Sequence, residues 1–252
     1  MSELLFLGTG AADTMHKTFA AHFDNKDDRR CTASLLNGHI LLDCGPHVLQ
    51  SLTVAGVEWQ TITDVIFTHL HVDHCNIDNL TAIANAKEMP LHIWYPAQST
   101  LPQINNVVLH PVKPLETYVG DGFTLTGLPG NHGVPTMHPS IETDGKKLLY
   151  ALDGAWFTYD AVGYMKQQAY DTVVLDCTVG DYLGDYRMGE HNSLPMLRVM
   201  TPSLLTLQVI REDTKLVLCH LATCLHKSYE ETCALTQNDP FIVAYDGLKI
   251  EI

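Results

Sequence analysis

Residues 68–74, Thr68-His69-Leu70-His71-Val72-Asp73-His74, place three histidines and an aspartate within six consecutive positions, directly after the apolar run "DVIF". That run has the short, β-rich character of a buried strand. His69 and His71 stand two apart, so in an extended chain both imidazoles point to the same side. Asp73 and His74 follow as the chain turns toward the helical spacing of 77–88, "IDNLTAIANAKE", where they can reach a second point nearby. Four such groups at this density repel and desolvate one another unless a cation lies among them. The stretch therefore reads as a metal-binding strand end.

The flanking sequence supplies the frame. Residues 3–7 read as a strand ending at Gly8-Thr9-Gly10, and the polar segment 11–30 as a long loop. Strands at 32–36 and 39–43 join across Asn37-Gly38, a hairpin signal. A helix over 46–55 tolerates Pro46 in its first turn. Further strands fall at 91–94, 106–109, 116–119, 123–127, 148–152, 172–176 and 215–219. Helices fall at 159–169, from near Asn192 onward, and shortly after "HLATCLHKS". Two last strands, 241–245 and 248–251, are expected to turn at Asp246-Gly247. Strands interleaved with helices in both halves predict two mixed β-sheets packed together with helices on the outer faces. No linker-like stretch or internal repeat divides the chain, which predicts one domain over residues 1–252.

Composition narrows the partners. Apolar residues make up 46% and charged residues 17%, enough for a substantial core. Fifteen Lys+Arg against 29 Asp+Glu give a net charge of −14. Such a surface disfavours long nucleic acid, whose binding depends on cationic side chains, but leaves room for a small anion beside bound cations. The first ten residues lack the basic region of a secretory signal, and no apolar run reaches membrane-spanning length. Seven cysteines without a C-x-x-C pair suit reduced thiols and a cytoplasmic location. A homodimer is left open.

Other metal-binding groups recur where strands are expected to end: His132 in "GNHGVP", Asp153 in "YALDG" and His220 in "VLCHL". A carboxylate can bridge two cations, which an imidazole normally does not. One centre would then take His69, His71, His132 and Asp153, the other Asp73, His74, His220 and Asp153.

"THLHVDH" resembles the signature of the metallo-β-lactamase superfamily, as do "FLGTGAAD" at the start and "LLDCG" at 41–45. The resemblance implies a four-layer αββα sandwich with a dinuclear site at one edge, and it supports His132, Asp153 and His220 as ligands. The order "GTG", "DRRCTAS", "HLHVDH", "NHG", "LDG", "LDCT", "EHNS", "LCH" and "AYDGLKI" is similar to the phosphodiesterase of the carbon–phosphorus lyase pathway and its relatives. Two departures stand out. That phosphodiesterase carries a Cys-rich zinc site in the loop after "GTG", whereas residues 11–30 contain no cysteine. The superfamily signature usually continues D-H-x-x-x-G, but Asp78 occupies the glycine position, which puts the local helix start in question.

The expected activity is metal-dependent hydrolysis. Two divalent ions roughly 3.5–4 Å apart can hold a water and lower its pKa to about 7, giving a bridging hydroxide as nucleophile. Zinc or manganese fits the oxygen and nitrogen donors best, with iron or nickel also compatible. Asp73 is assigned to the catalytic residues as well as to the ligands. His191, ahead of a helix capped by Asn192 or Ser193, is the candidate acid for the leaving group, as the resemblance also implies. Asp43 is expected to accept a hydrogen bond from a ligand imidazole. Arg29 and Arg30 are weighed as phosphate contacts against a solvated loop, and His226 as a cleft residue by resemblance. Cys44, Cys75 and Cys219 are expected to be buried neutral thiols.

The substrate expected is a small cyclic or nucleotide-like phosphodiester. A tRNA 3′-processing endoribonuclease of the ribonuclease Z type, an ester, thioester or lactone hydrolase, and a non-catalytic ligand-binding member are the alternatives, in that order.

Overall fold

The structure, a computed structural model, describes residues 2–252. The apolar strand runs alternate between two cores, and that alternation builds the layers. In β3 (Ile40–Leu42), Ile40 and Leu42 face one apolar cluster while Leu41 faces another. Val65 and Ile66 of β4 (Asp64–Ile66) divide in the same way. So do Val173, Val174 and Leu175 of β11 (Tyr170–Asp176), and Leu216, Val217 and Leu218 of β12 (Ile210–Cys219). Sheets covered on both faces demand such continuous apolar runs, because successive side chains point to opposite sides.

Among the described residues each sheet has seven strands. The first runs β14 (Lys249–Glu251), β1 (Glu3–Gly8), β2 (Ala33–Leu36), β3, β4, β5 (Leu91–Pro96) and β6 (Val107–Val112). The second runs β13 (Phe241–Val243), β12, β11, β10 (Lys146–Ala151), β9 (Met137–Thr143), β8 (Phe123–Pro129) and β7 (Thr117–Gly120). Both mix parallel and antiparallel pairs; β3–β6 and β10–β13 run parallel within their sheets. Phe6, Leu42, Ile66, Leu148, Val174 and Val217 pack between the sheets. Leu52 of α1 (Val48–Val54) and Leu80 and Ile83 of α2 (Ile77–Asn85) cover the outer face of the first. The second is covered by α3 (Tyr159–Met165) and α4 (Leu194–Thr206), through Met165, Leu197 and Leu204. A last helix, α5 (Tyr229–Thr236), follows the 220s loop and packs beside β13. The result is the expected αββα order.

Two local expectations change, and the question over the helix start is answered. β9 carries no strand signal in the sequence because Pro139 interrupts it, yet it lies inside the second sheet. Pro139 pairs with Gly127 of β8, but the ladder to β10 spans only 140–143, so the missing N–H falls outside that ladder. The last two strands are not a hairpin. β13 closes one edge of the second sheet and β14 one edge of the first, so Asp246-Gly247 carries the chain from sheet to sheet. The helix after "HVDH" forms despite Asp78: Asn76 caps it by accepting from the Asn79 N–H, and Asp78 sits in the first turn, where its charge favours the helix N-terminus.

Candidate metal centre

The seven predicted ligand side chains meet beyond the carboxyl ends of strands. His69, His71, Asp73 and His74 follow β4; His132 follows β8, Asp153 follows β10 and His220 follows β12. This is the edge at which open α/β sheets present their binding groups. The loop carrying Asp43 runs against the backbone of Asp73. A Cβ on Gly45 would lie 1.9 Å from the Asp73 carbonyl oxygen, so glycine is required there. Asp43, Asp153 and His220 all adopt left-handed backbone conformations, at φ 60°, 51° and 57°. Each costs on the order of 1 kcal/mol; Asp153 and His220 turn buried polar side chains into the cleft, and Asp43 turns one toward the outer nitrogen of His74.

Two groupings result. In the first, His69 Nε2 lies 2.9 Å from His71 Nδ1, and His132 Nε2 lies 3.2 Å from the same atom. Asp153 Oδ1 stands 3.9 Å from His132 Nε2. In the second, His74 Nε2 and His220 Nε2 are 3.2 Å apart. Asp153 Oδ2 is 2.9 Å from His74 Nε2 and 3.1 Å from His220 Nε2, and Asp73 Oδ2 is 3.4 Å from His74 Nε2. Asp153 thus offers one carboxylate oxygen to each grouping.

The ring nitrogens facing away from the cleft are fixed by matching devices, one in each sheet. In the first sheet Thr68 Oγ1 donates to Asp43, 3.0 Å from Oδ2, and lies 3.0 Å from His69 Nδ1. His74 Nδ1 donates to Asp43 Oδ2 at 2.8 Å. In the second, Thr178 Oγ1 donates to Asp176 Oδ2 at 2.9 Å and lies 2.6 Å from His220 Nδ1. His191 Nδ1 donates to Asp176 Oδ2 at 3.0 Å. A carboxylate–threonine pair therefore orients two histidines on each side. In the neutral rings, with the proton held at Nδ1, His69, His74 and His220 would turn Nε2 lone pairs inward, as ligation requires.

This donor set fits cations. Asp153 Oδ2 is fully buried and makes no hydrogen bond among the described residues, although two imidazole nitrogens stand within 3.1 Å of it. Such an orphaned carboxylate oxygen is costly unless an ion meets it. Burial holds His69 and His132 below the usual histidine range, leaving them neutral as ligands must be. Burial would raise the Asp153 pKa, but His220, His74 and His69 hold it well below the carboxylate range. Burial would likewise lower His74, yet Asp153, Asp73 and Asp43 raise it well above its ordinary value. Three carboxylates around one imidazole call for more positive charge than that ring supplies.

His191 stands beside this cluster, its Nδ1 3.9 Å from Asp153 Oδ1 and its ring stacked on His220 at 5.5 Å. Burial opposes its protonation, but the Asp176 carboxylate, by charge and hydrogen bond, raises its pKa to about 9.

Other residues fall outside these groupings. Arg30 is fully buried and pairs with Asp246 at 3.0 Å, under the rings of Phe19 and Phe23. Arg29 is buried and donates to the Lys227 carbonyl. Both arginines brace loops, and neither is a solvated group. His226 bonds the Cys177 carbonyl at 2.6 Å, and burial lowers its pKa to about 4. Cys44 and Cys219 are buried and Cys75 half-buried, all free, with burial raising each thiol.

Asp176, Thr178 and Thr68 are the hydrogen-bonding neighbours of the candidate site that sequence reasoning missed. "LDCT" and "THLH" contain them, but only the register of β11 against β12 brings Asp176 beside Cys219 and hence His220. Glu190 is a further one: its carboxylate comes within 4.8 Å of ligand-capable nitrogens of His132 and His191.

The model of the anti-Pycsar protein Apyc1 family matches residues 2–87. No curated protein matches the chain by sequence. Solved structures match it over nearly its whole length at low identity. YhfI from Bacillus subtilis, described as a metallo-β-lactamase fold protein, is 16% identical with a TM-score of 0.75, covering 100% of this chain and 99% of its own. A diphosphatase from the PhnP family is also 16% identical, with a TM-score of 0.74 and coverage of 100% and 97%. The short form of human tRNase Z is 20% identical, with a TM-score of 0.67 and coverage of 99% of each chain. Two seven-stranded sheets between helices, joined to these likenesses, establish that the chain has the metallo-β-lactamase fold.

Proposed function

We propose that the protein is a dinuclear metal-dependent hydrolase that cleaves a small phosphodiester, cyclic or nucleotide-like. The observation that carries this reading is the position of His191: a proton-holding imidazole, fixed by Asp176, beside a cluster whose central carboxylate presents one oxygen to each of two ligand groups. His69, His71, His132 and Asp153 would hold one divalent ion; Asp73, His74, His220 and Asp153 the other. Zinc or manganese suits these donors. Bound there, the ions supply Lewis acidity toward the phosphoryl oxygens and acidify water at neutral pH.

The chain's own residues supply the rest. Asp176 keeps His191 oriented through Nδ1, so that Nε2 can give a proton to the departing alkoxide. Asp73 would be a further ligand of the second ion. Val72 and Trp156, both exposed, stand one residue after His71 and three after Asp153, offering apolar surface for a base-like group. A net charge of −14 supports a small substrate over tRNA. Seven free cysteines support a reducing, cytoplasmic setting, and among the described residues no helix is long and apolar enough to cross a membrane. The reading takes residues 1–252 as one domain and leaves a homodimer open.

The test is turnover by protein reconstituted with manganese or zinc, against a panel of cyclic, nucleotide and aryl phosphodiesters, carboxylic esters and lactones. Asp153→Asn keeps the left-handed backbone accessible and should abolish turnover with the fold retained. Cleavage of carboxylic esters alone would replace the substrate class, and precursor tRNA bound and cut at low salt would replace it with an RNA. No turnover of any substrate by metal-loaded protein removes the enzyme reading.

A further inference from the structure

Among the described residues, four imidazole–imidazole nitrogen contacts fall within 3.2 Å. Three lie in the centre above: His69–His71, His71–His132 and His74–His220. The fourth is His92 Nδ1 to His110 Nε2, at 2.8 Å, and it is elsewhere in the fold. His92 belongs to β5 and His110 to β6. In the sheet register Asp64 is paired with His92, and Trp94 with His110. Asp64 opens β4, whereas the centre lies beyond that strand's other end. The two sites are therefore separated along the strands.

This second pair lines a cavity of about 400 Å³ with Asp64, Lys87, Trp94 and Asp121. One of its rings, His110, is backed by a fixed aromatic neighbour. Trp94 Nε1 donates to Asp64 Oδ1 at 2.8 Å, and the Trp94 ring stacks on His110 at 4.1 Å. The Asp64 carboxylate is buried, with its second oxygen beyond that bond. Two carboxylates against one lysine favour a cation over an anion.

We propose that His92 and His110 bind a single divalent transition ion of the zinc class, with water completing its shell and the Asp64 carboxylate, held by Trp94, supplying negative charge nearby. At present one imidazole donates to the other. Binding needs lone pairs on both facing nitrogens, so that proton moves to the outer nitrogen of the same ring. Neither outer nitrogen, His92 Nε2 nor His110 Nδ1, has a protein hydrogen-bond partner among the described residues, so each is free to carry it. Metal–nitrogen bonds of about 2.0–2.1 Å in tetrahedral geometry set the nitrogens about 3.3 Å apart. The rings need to separate by about half an ångström, into an open cavity. The ion would clip β6, the edge strand of the first sheet, to β5.

The test uses the full chain equilibrated with zinc, metal analysis, and anomalous diffraction at the zinc edge. An anomalous peak between His92 and His110 is expected in addition to any at the centre. His92→Gln and His110→Gln should each lose one equivalent of zinc and that peak alone, with hydrolysis unchanged. A wild-type map with no peak between these imidazoles overturns the proposal, whether or not the dinuclear centre fills. An unchanged zinc count in both variants does the same.

Discussion

Asp43 Oδ2 lies 2.8 Å from His74 Nδ1, with both side chains fully buried. The same carboxylate accepts the Thr68 N–H at 2.8 Å and the Thr68 hydroxyl. One aspartate therefore sets the tautomer of His74 directly and the position of His69 through Thr68. Asp43→Ala should weaken metal binding about 10- to 100-fold, the usual loss when an outer hydrogen-bond partner of a ligand imidazole is removed. Competition titration against a chelator of known affinity measures it. Asp43→Asn should fall between wild type and alanine, since it tolerates the left-handed backbone but lacks the charge. Affinity unchanged in both variants would show that the ligands orient themselves.

His191 is tied to the mirror-image carboxylate, Asp176, which also accepts the Asn192 N–H. If His191 protonates the leaving group, its loss matters in proportion to that group's need for a proton. His191→Ala should slow alkyl phosphodiesters about 10²- to 10⁴-fold and p-nitrophenyl esters far less. Steady-state rates on matched pairs decide it. Equal slowing of both would make His191 a positioning residue for the cluster rather than the acid.

How much of this was legible in the sequence differs by residue. His69, His71, Asp73 and His74 are neighbours in the chain, so their convergence is a local matter of strand, turn and helix. Asp43 was legible for a similar reason, since "LLDCG" ends the strand beside β4. Asp176 was not. Its role depends on the parallel register that sets it opposite Cys219, a contact 43 positions away in the chain. Arg30 shows the reverse error: two adjacent arginines in a polar loop suggested a solvated or phosphate-binding patch, but the crossing of the chain at Asp246 buries one of them completely. The same crossing hid the separation of the last two strands, because a local Asp-Gly turn signal carries no information about which sheet each strand joins.

The Arg30–Asp246 pair yields a stability prediction with no catalytic component. Asp246 accepts from the Arg30 backbone N–H, the Arg30 guanidinium and the Thr9 hydroxyl. Asp246→Ala leaves a guanidinium buried without a counter-charge, which should cost roughly 3–5 kcal/mol. Urea denaturation reads this directly. The double variant Arg30→Met/Asp246→Leu should recover most of the loss, because it removes both charges together. Turnover per folded molecule should stay at the wild-type level; a selective loss of affinity for phosphate esters would return Arg30 to the substrate site.

His138 makes an acid-stability prediction. It lies in β9, 1% exposed, with its ring edge-on to Phe157, and neither ring nitrogen has a hydrogen-bond partner among the described residues. A Cβ on Gly154 would come within 2.4 Å of His138 Nε2, so the chain beside Asp153 is packed directly against this ring. Burial lowers its pKa to about 4, from 6.5 for an exposed histidine. Between those values the unfolded chain binds a proton that the folded chain refuses. Its contribution to stability is therefore complete above pH 6.5 and is lost as the pH falls toward 4, by about 3 kcal/mol. His138→Leu removes the titrating group and both orphaned nitrogens at similar volume. In chelator, so that metal release does not intervene, the variant should match or exceed wild type at pH 8 and lose less stability on acidification. The difference between the two curves should grow steadily from pH 6.5 to 4. Parallel curves would mean that the folded protein accommodates a proton on His138, and the ring would then have to find a partner that the native packing does not offer.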